Sequence, residues 1–293
     1  MNDRRSFLKQ AGLLAAALPL TGSFAQTAMA AAPVATTGLN KWQALRQQFD
    51  LDPAYLHFCN FLLASHPRVV SEAIARFRAR LDQNPGEMVD WDREELWGYE
   101  DEVRNWAGRY FGVQPGQVAL TGSTTEGLSM IYGGLQVAPG KEILVSAHEH
   151  YSTNTRLAYR ERLMGTQVRR VTLFKEPQLA SVDEMLGNLR QAIRPETRVL
   201  GMTWVQSGSG VKLPIREVGE LVKTLNQSRD EQDQIIYVVD GVHGFGIEDV
   251  NFADFHCDYF IAGTHKWLFG PRGTGVIIAR EAKPQPYLVP SLP

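Results

Sequence analysis

Seven short apolar runs, separated by stretches of helical periodicity, constrain the fold of this chain more than any other feature. They lie near Gln117–Leu120, Glu142–Ser146, Gln167–Leu173, Arg198–Thr203, Ile235–Val239, Asp258–Ile261 and Gly275–Ala279. Helices are expected between most of them, starting near Thr124, Thr153, Val182 and Ile215. The run Ile235-Ile-Tyr-Val-Val239 is apolar at every position rather than at alternate ones, the mark of a strand buried on both faces. Alternating strands and helices of these lengths predict an α/β fold: a mostly parallel seven-stranded sheet flanked by helices. With 293 residues, 44% of them hydrophobic, the chain can fill such a core.

Ahead of the sheet, residues 1–30 read as an export address. Asp3-Arg-Arg-Ser-Phe-Leu-Lys9 is a twin-arginine signature, Ala11 to Leu20 is an apolar stretch too short to span a bilayer, and Ala28-Met-Ala30 is a plausible cleavage site. That address predicts the twin-arginine translocase as a partner, a periplasmic location and no stable membrane anchor. Residues 31–115 form an N-terminal segment with helices. Asn40 to Asp50 is a short helix and Pro53 to Asn60 an extended entry segment. Arg68 to Asp82 is an amphipathic helix with Val69, Ile74, Phe77 and Leu81 on one face. Trp91, Trp97, Tyr99 and Trp106 fall in an acidic, aromatic helical stretch that suits core or dimer packing. The α/β domain then spans 116–280, and 281–293 is a proline-rich tail. A net charge of −2 gives no sign of nucleic-acid binding. Two cysteines, Cys59 and Cys257, are too few for a disulfide framework and lack metal-ligand spacing.

In an open α/β sheet the ligand crevice lies outside the carboxyl ends of the strands. Two ionisable residues fall there. Lys266 follows the strand ending near Ala262 and sits among His265, Trp267 and Leu268, a setting that would desolvate an amine and lower its pKa. Such a lysine can attack a carbonyl and form a Schiff base, or it can simply snorkel over an apolar rim. Asp240 closes the strand Ile235–Val239. A strand-end carboxylate with a strand-end lysine is the pair that pyridoxal 5′-phosphate (PLP) needs, one for the pyridine nitrogen and one for the aldehyde. Thr121-Gly-Ser-Thr-Thr-Glu-Gly127 is a small-residue turn at a helix start, which can hold a phosphate or serve only as a capping box. His148 and His150, two apart, lack the further ligands of a metal site, so no metal is expected.

The Val239-Asp-Gly-Val-His243, Thr264-His-Lys-Trp267 and Gly122-Ser-Thr-Thr-Glu126 segments together resemble the class V aminotransferase family of fold-type I PLP enzymes, and its isopenicillin N epimerase-like branch in particular. The likeness is collinear from about Tyr55 to Ala279. It implies a PLP cofactor and catalytic roles for Lys266 as Schiff base, Asp240 as pyridinium partner and His150 as stacking ring. Ser123, Thr124 and Thr125 inherit the phosphate turn, and His265 a phosphate contact. Ser207 and His243 fall beside the cofactor's phenolic oxygen, where relatives carry Asn and Gln. Thr264 is a candidate for the hydroxyl that relatives place three residues before the lysine, where this chain has Gly263. Arg272 is open between an anion clamp and a solvated turn residue.

The resemblance further implies an enzyme acting on an amino group of a small-molecule or peptide-like substrate, by transamination or epimerase-like chemistry, and a homodimer in the full-length protein. Exported members of the family include a periplasmic enzyme that tailors the siderophore pyoverdine, which makes siderophore tailoring the first expectation for substrate. Family members continue past the position of Pro293 into a smaller C-terminal domain. A chain lacking that domain would be the alternative, a non-catalytic remnant that binds cofactor or a protein partner.

Overall fold

A computed structural model describes residues 40–86 and 94–289. The signal expected over 1–30 and Trp91 lie outside the described residues. A first compact unit ends at Gln47 and a second begins at Gln48. In the first, helix α1 (Lys41–Arg46) starts from a capping box in which Asn40 accepts the Gln43 amide and the Gln43 side chain accepts the Asn40 amide.

Everything else belongs to the second unit. Helices α2 (Arg68–Gln83) and α3 (Glu94–Phe111) precede strand β1 (Val118–Thr121). There follow α4 (Thr124–Gly134), β2 (Glu142–Ser146), α5 (Tyr151–Met164), β3 (Gln167–Val171), α6 (Val182–Ala192) and β4 (Thr197–Thr203). Then come α7 (Ile215–Asn226), β5 (Ile236–Asp240), β6 (Tyr259–Gly263) and β7 (Gly275–Ala279). The seven strands lie in the order β1-β7-β6-β5-β4-β2-β3. All pairings are parallel except those of β7, which runs antiparallel to both β1 and β6.

Every residue of β2, β4, β5 and β6 is buried, which explains why their middles are apolar on both faces, with the polar residues Glu142, Ser146, Thr197, Arg198, Thr203 and Asp240 at or next to strand ends. Successive side chains serve opposite faces. Val239, Phe260 and Met202 join Phe111 of α3, Met185 and Leu189 of α6 and Val218 and Val222 of α7 on one side. Val238, Ile261 and Val199 join Leu128, Ile131 and Tyr132 of α4 and Leu157 of α5 on the other. At about 1.5–3 kcal/mol for each large apolar side chain buried, these two layers are the main stabilising term. Arg160 of α5 is buried and spends its guanidinium on the Tyr132 and Leu135 carbonyls, both at 2.5 Å, satisfying the carboxyl end of α4.

Two expectations upstream of the sheet change. The Pro53–Asn60 segment contains no strand; it is irregular, with turns. The helix over Arg68–Gln83 forms, but no residue of it is buried and Val69 and Phe77 are more than half exposed, so its apolar face packs on no core among the described residues. Trp106 is likewise exposed.

Candidate active site

The carboxyl ends of β2, β4, β5 and β6 point to one edge of the sheet, and β1, antiparallel to β7 as β6 is, ends at the same edge. The segments that leave those ends line a small cavity of about 200 Å³. Ser123, Thr124 and Thr125 enter from β1, His150 from β2, Ser207 from β4, Asp240 and Val242 from β5, and His265 and Lys266 from β6. Leu62, from the irregular segment before α2, closes part of it, and the Ala64 amide donates to the His265 carbonyl at 3.2 Å. Residues nearly 150 positions apart in sequence are gathered because each follows a strand of one sheet.

Lys266 is half-buried, and burial lowers the pKa of its amine against the opposing pull of Asp240. Its Nζ lies 3.2 Å from Nε2 of His243. Asp240 is 5% exposed; burial pushes its carboxyl up to about 6, opposed by the Val242 amide, which donates to Oδ1 at 3.2 Å, and by Lys266. His243 is buried, 3.3 Å from Ser207 Oγ, and accepts the Trp267 indole N–H on Nδ1 at 3.2 Å. Burial, reinforced by Lys266 and His150, depresses its imidazole to about 4, so it is neutral at physiological pH.

Helix α4 presents its amino end to the cavity. Ser123 Oγ accepts the Glu126 amide at 3.1 Å, Glu126 reaches back to the Gly122 amide, and Thr124 Oγ1 accepts the Gly263 amide at 2.8 Å. The capping box expected as the bland reading is formed only in half: Ser123 caps the Glu126 amide, but Glu126 reaches the Gly122 amide one residue before the cap. It leaves the amides of Thr124 and Thr125 without an acceptor among the described residues, at the positive end of an 11-residue helix. Such an end can hold an anion.

His150 caps α5: its Nδ1 lies 2.7 Å from Ser152 Oγ and accepts the Ser152 amide at 3.3 Å, while burial lowers its pKa. His148 is elsewhere, its ring stacked on Phe174 at 4.6 Å. Among the described residues no cluster of three His, Cys, Asp or Glu is arranged to hold a metal ion.

Three residues stand apart from what the sequence suggests. Thr264 does not line the cavity; its hydroxyl is engaged by Thr274 and by the Pro271 carbonyl, which tie up the turn before β7. Arg272 is exposed and absent from the cavity wall. Glu149, to which sequence reasoning gave no role, is fully buried beneath the site, bonded to the Thr203 amide at 3.1 Å and to the Thr203 hydroxyl, and burial raises its carboxyl to about 8. An acidic residue between two histidines looks solvated in sequence; only its burial marks it.

A larger cavity, about 830 Å³, opens at the other edge of the sheet, lined by Arg198, Asp258, Arg280 and Tyr287. Several of its charges are already paired, Lys141 with Asp233 at 2.5 Å and Arg280 with Asp258 at 3.4 Å.

The model "Aminotransferase class-V" matches residues 64–289. The chain is 29% identical over 239 residues to the isopenicillin N epimerase of Amycolatopsis lactamdurans, covering 80% of this chain and 56% of that protein. It is 24% identical over 258 residues to a probable cysteine desulfurase of Mycoplasma pneumoniae, covering 87% and 60%. The chain thus spans somewhat over half the length of these relatives. Among solved structures, a C-DES variant with glycine covalently linked to its PLP cofactor superposes with a TM-score of 0.68 at 21% identity, covering 80% of this chain and 59% of that one. The apo cysteine desulfurase of Thermococcus onnurineus NA1 gives 0.64 at 19%, covering 82% and 57%. The architecture is that of the fold-type I PLP enzymes. On the family match over most of its length, this chain belongs to the PLP-dependent class V aminotransferase family.

Proposed function

We propose that the chain carries the cofactor-binding part of an exported PLP enzyme that acts on the amino group of an amino acid or peptide-like substrate, with Lys266 as the covalent anchor. The observation that carries this reading is the single cavity in which a half-buried lysine, a buried carboxylate, an imidazole and a helix amino end meet. These residues fit PLP: the two unbonded amides of Thr124 and Thr125, with Ser123 and His265 beside them, suit its phosphate. Asp240 suits the pyridine nitrogen, and Lys266 the aldehyde. Bound there, the cofactor supplies an electron sink for the carbon next to the substrate's amino nitrogen.

The chain's own residues supply the rest. Lys266, its ammonium form disfavoured by burial, takes and returns a proton at Nζ. Asp240, buried and ionised above about pH 6, would hold a protonated ring nitrogen by a charge-assisted hydrogen bond. His150 and Leu62 both line the cavity, where His150 would be the ring to stack on the cofactor. Ser207 lines the cavity, and His243, which does not, backs it at 3.3 Å; Ser207 would be the polar group toward the phenolic oxygen. No cysteine lines the cavity among the described residues, and Cys257, fully buried with its thiol pKa raised by burial, is no nucleophile.

Export by the twin-arginine translocase to the periplasm, and siderophore tailoring there, complete the proposal; the paired arginines Arg4 and Arg5 support the first, and an exported enzyme of this family the second. A homodimer is part of the same reading, supported by the exposed apolar side chains of Tyr55, Leu56, Phe58 and Phe61. The deciding experiment is borohydride reduction of the PLP-treated protein followed by peptide mapping. One labelled peptide containing Lys266 is expected; label on another peptide, or label retained in Lys266→Ala, would refute the assignment.

A further inference from the structure

We propose that Trp267 is a positioning residue: its indole N–H fixes the tautomer of His243, and through that imidazole it disfavours the ammonium form of Lys266. The inference deepens the function proposed above and rests on it only for the importance of the Lys266 amine.

An indole nitrogen only donates, so the 3.2 Å contact from Trp267 Nε1 requires the lone pair of His243 on Nδ1. His243 is buried and neutral, as its depressed pKa of about 4 agrees, and a neutral imidazole carries one proton. That proton is therefore on Nε2, which faces Lys266 Nζ at 3.2 Å and Ser207 Oγ at 3.3 Å. An uncharged amine has a lone pair to receive it. An ammonium has three donors and no acceptor, so N–H would face N–H. With the other tautomer, Nε2 would accept from the ammonium and stabilise it. Trp267 thus selects the form of His243 that favours a neutral, nucleophilic lysine.

The other groups around Lys266 do not remove this bias. Asp240 favours the ammonium, while His150 and His265, both neutral by burial, sense its charge unfavourably. The indole is also held in place. Gly246, with φ +90°, lets the turn after β5 lie against the backbone of residues 267 and 268; a Cβ there would sit 2.8 Å from the Trp267 carbonyl carbon and 2.8 Å from the Leu268 nitrogen. Only glycine tolerates both the conformation and the contact.

Nitrogen-15 NMR of the histidine-labelled full chain, with PLP removed, reads the tautomer directly, His243 being assigned by its loss in His243→Gln. A bare Nδ1 and a protonated Nε2 are expected in wild type. In Trp267→Phe that preference should be lost, and the midpoint of the pH profile for acetic anhydride labelling of Lys266 should rise by about one unit, a tenfold change, as expected for one hydrogen bond's worth of bias. In the His243→Gln background the same Trp267→Phe change should move nothing further. A proton on Nδ1 in wild type, or an unchanged Lys266 profile in Trp267→Phe, would overturn the proposal. A proton on Nδ1 in the wild-type spectrum overturns it even where the variant does not fold, and Trp267→His, which can again donate a ring N–H, should restore the wild-type Lys266 profile. A protein that took up no PLP would sink the functional reading while leaving both readouts intact.

Discussion

Substituting Glu149 by Gln should flatten the pH dependence of stability, because Glu149 is a buried acid held largely protonated at neutral pH. Burial is the largest cause of its raised pKa, and the charge of Asp240 adds to it, against the hydrogen bonds from Thr203. The folded-state value of about 8 lies above the ordinary 4.5, so between those limits the folded chain binds more protons than the unfolded one. Stability must then fall as pH rises through that window, by about 1.36 kcal/mol per unit for one proton, with a ceiling of roughly 5 kcal/mol across it. Gln reproduces the protonated acid: its carbonyl can accept the Thr203 amide and its NH₂ can donate to the Thr203 hydroxyl, the two groups that Glu149 now engages. Urea midpoints of the cofactor-free chain at pH 5 and pH 8.5 test this. The other shifted groups, His243 and Asp240 among them, contribute to both proteins alike, so the Glu149 contribution is read as a difference: stability should change between pH 5 and pH 8.5 more favourably in Glu149→Gln than in wild type, by up to several kcal/mol, and the variant should be the more stable protein at pH 8.5. A variant with the same pH dependence as wild type would refute the assignment of a protonated Glu149.

Asp240→Asn should keep the fold and much of the PLP but lose most proton-transfer activity in the full-length enzyme, since an amide cannot hold the pyridinium; a rate within about threefold of wild type, under 1 kcal/mol of barrier, would make Asp240 merely structural. Gly244→Ala should destabilise the chain by about 1–3 kcal/mol or more, measured by thermal unfolding, because its Cβ would lie 1.9 Å from the buried Trp204 ring; an unchanged midpoint would mean the turn shifts freely. Replacing Arg4 and Arg5 by Lys should leave a cytosolic, PLP-loaded precursor on fractionation, and periplasmic protein at the wild-type level would rule out the twin-arginine route.

Much of the sheet was legible in the sequence because a strand buried on both faces has no polar position to hide it. Glu142–Ser146 and Gly275–Ala279 fall where the apolar runs place them, and the others lie within about two residues. Strand ends carry the site, so Asp240 and Lys266 could be placed together before any contact was known. The antiparallel setting of β7 was legible too, in principle: the turn from Thr264 to Thr274 leaves no room for a crossover helix.

What the tertiary structure alone decided is how each polar group is satisfied. Thr264 and Thr124 are both threonines beside a predicted phosphate site, yet one is consumed by the turn before β7 and the other receives the Gly263 amide at the cavity. Glu149 is a charged residue by composition and a buried acid by position. Trp267 reads as another apolar neighbour of the lysine, and its N–H matters because the chain folds His243, 24 residues earlier, onto it. Hydrophobic period is a local property that a sequence displays along its length. Hydrogen-bond partnership and desolvation are properties of neighbours that meet only in space.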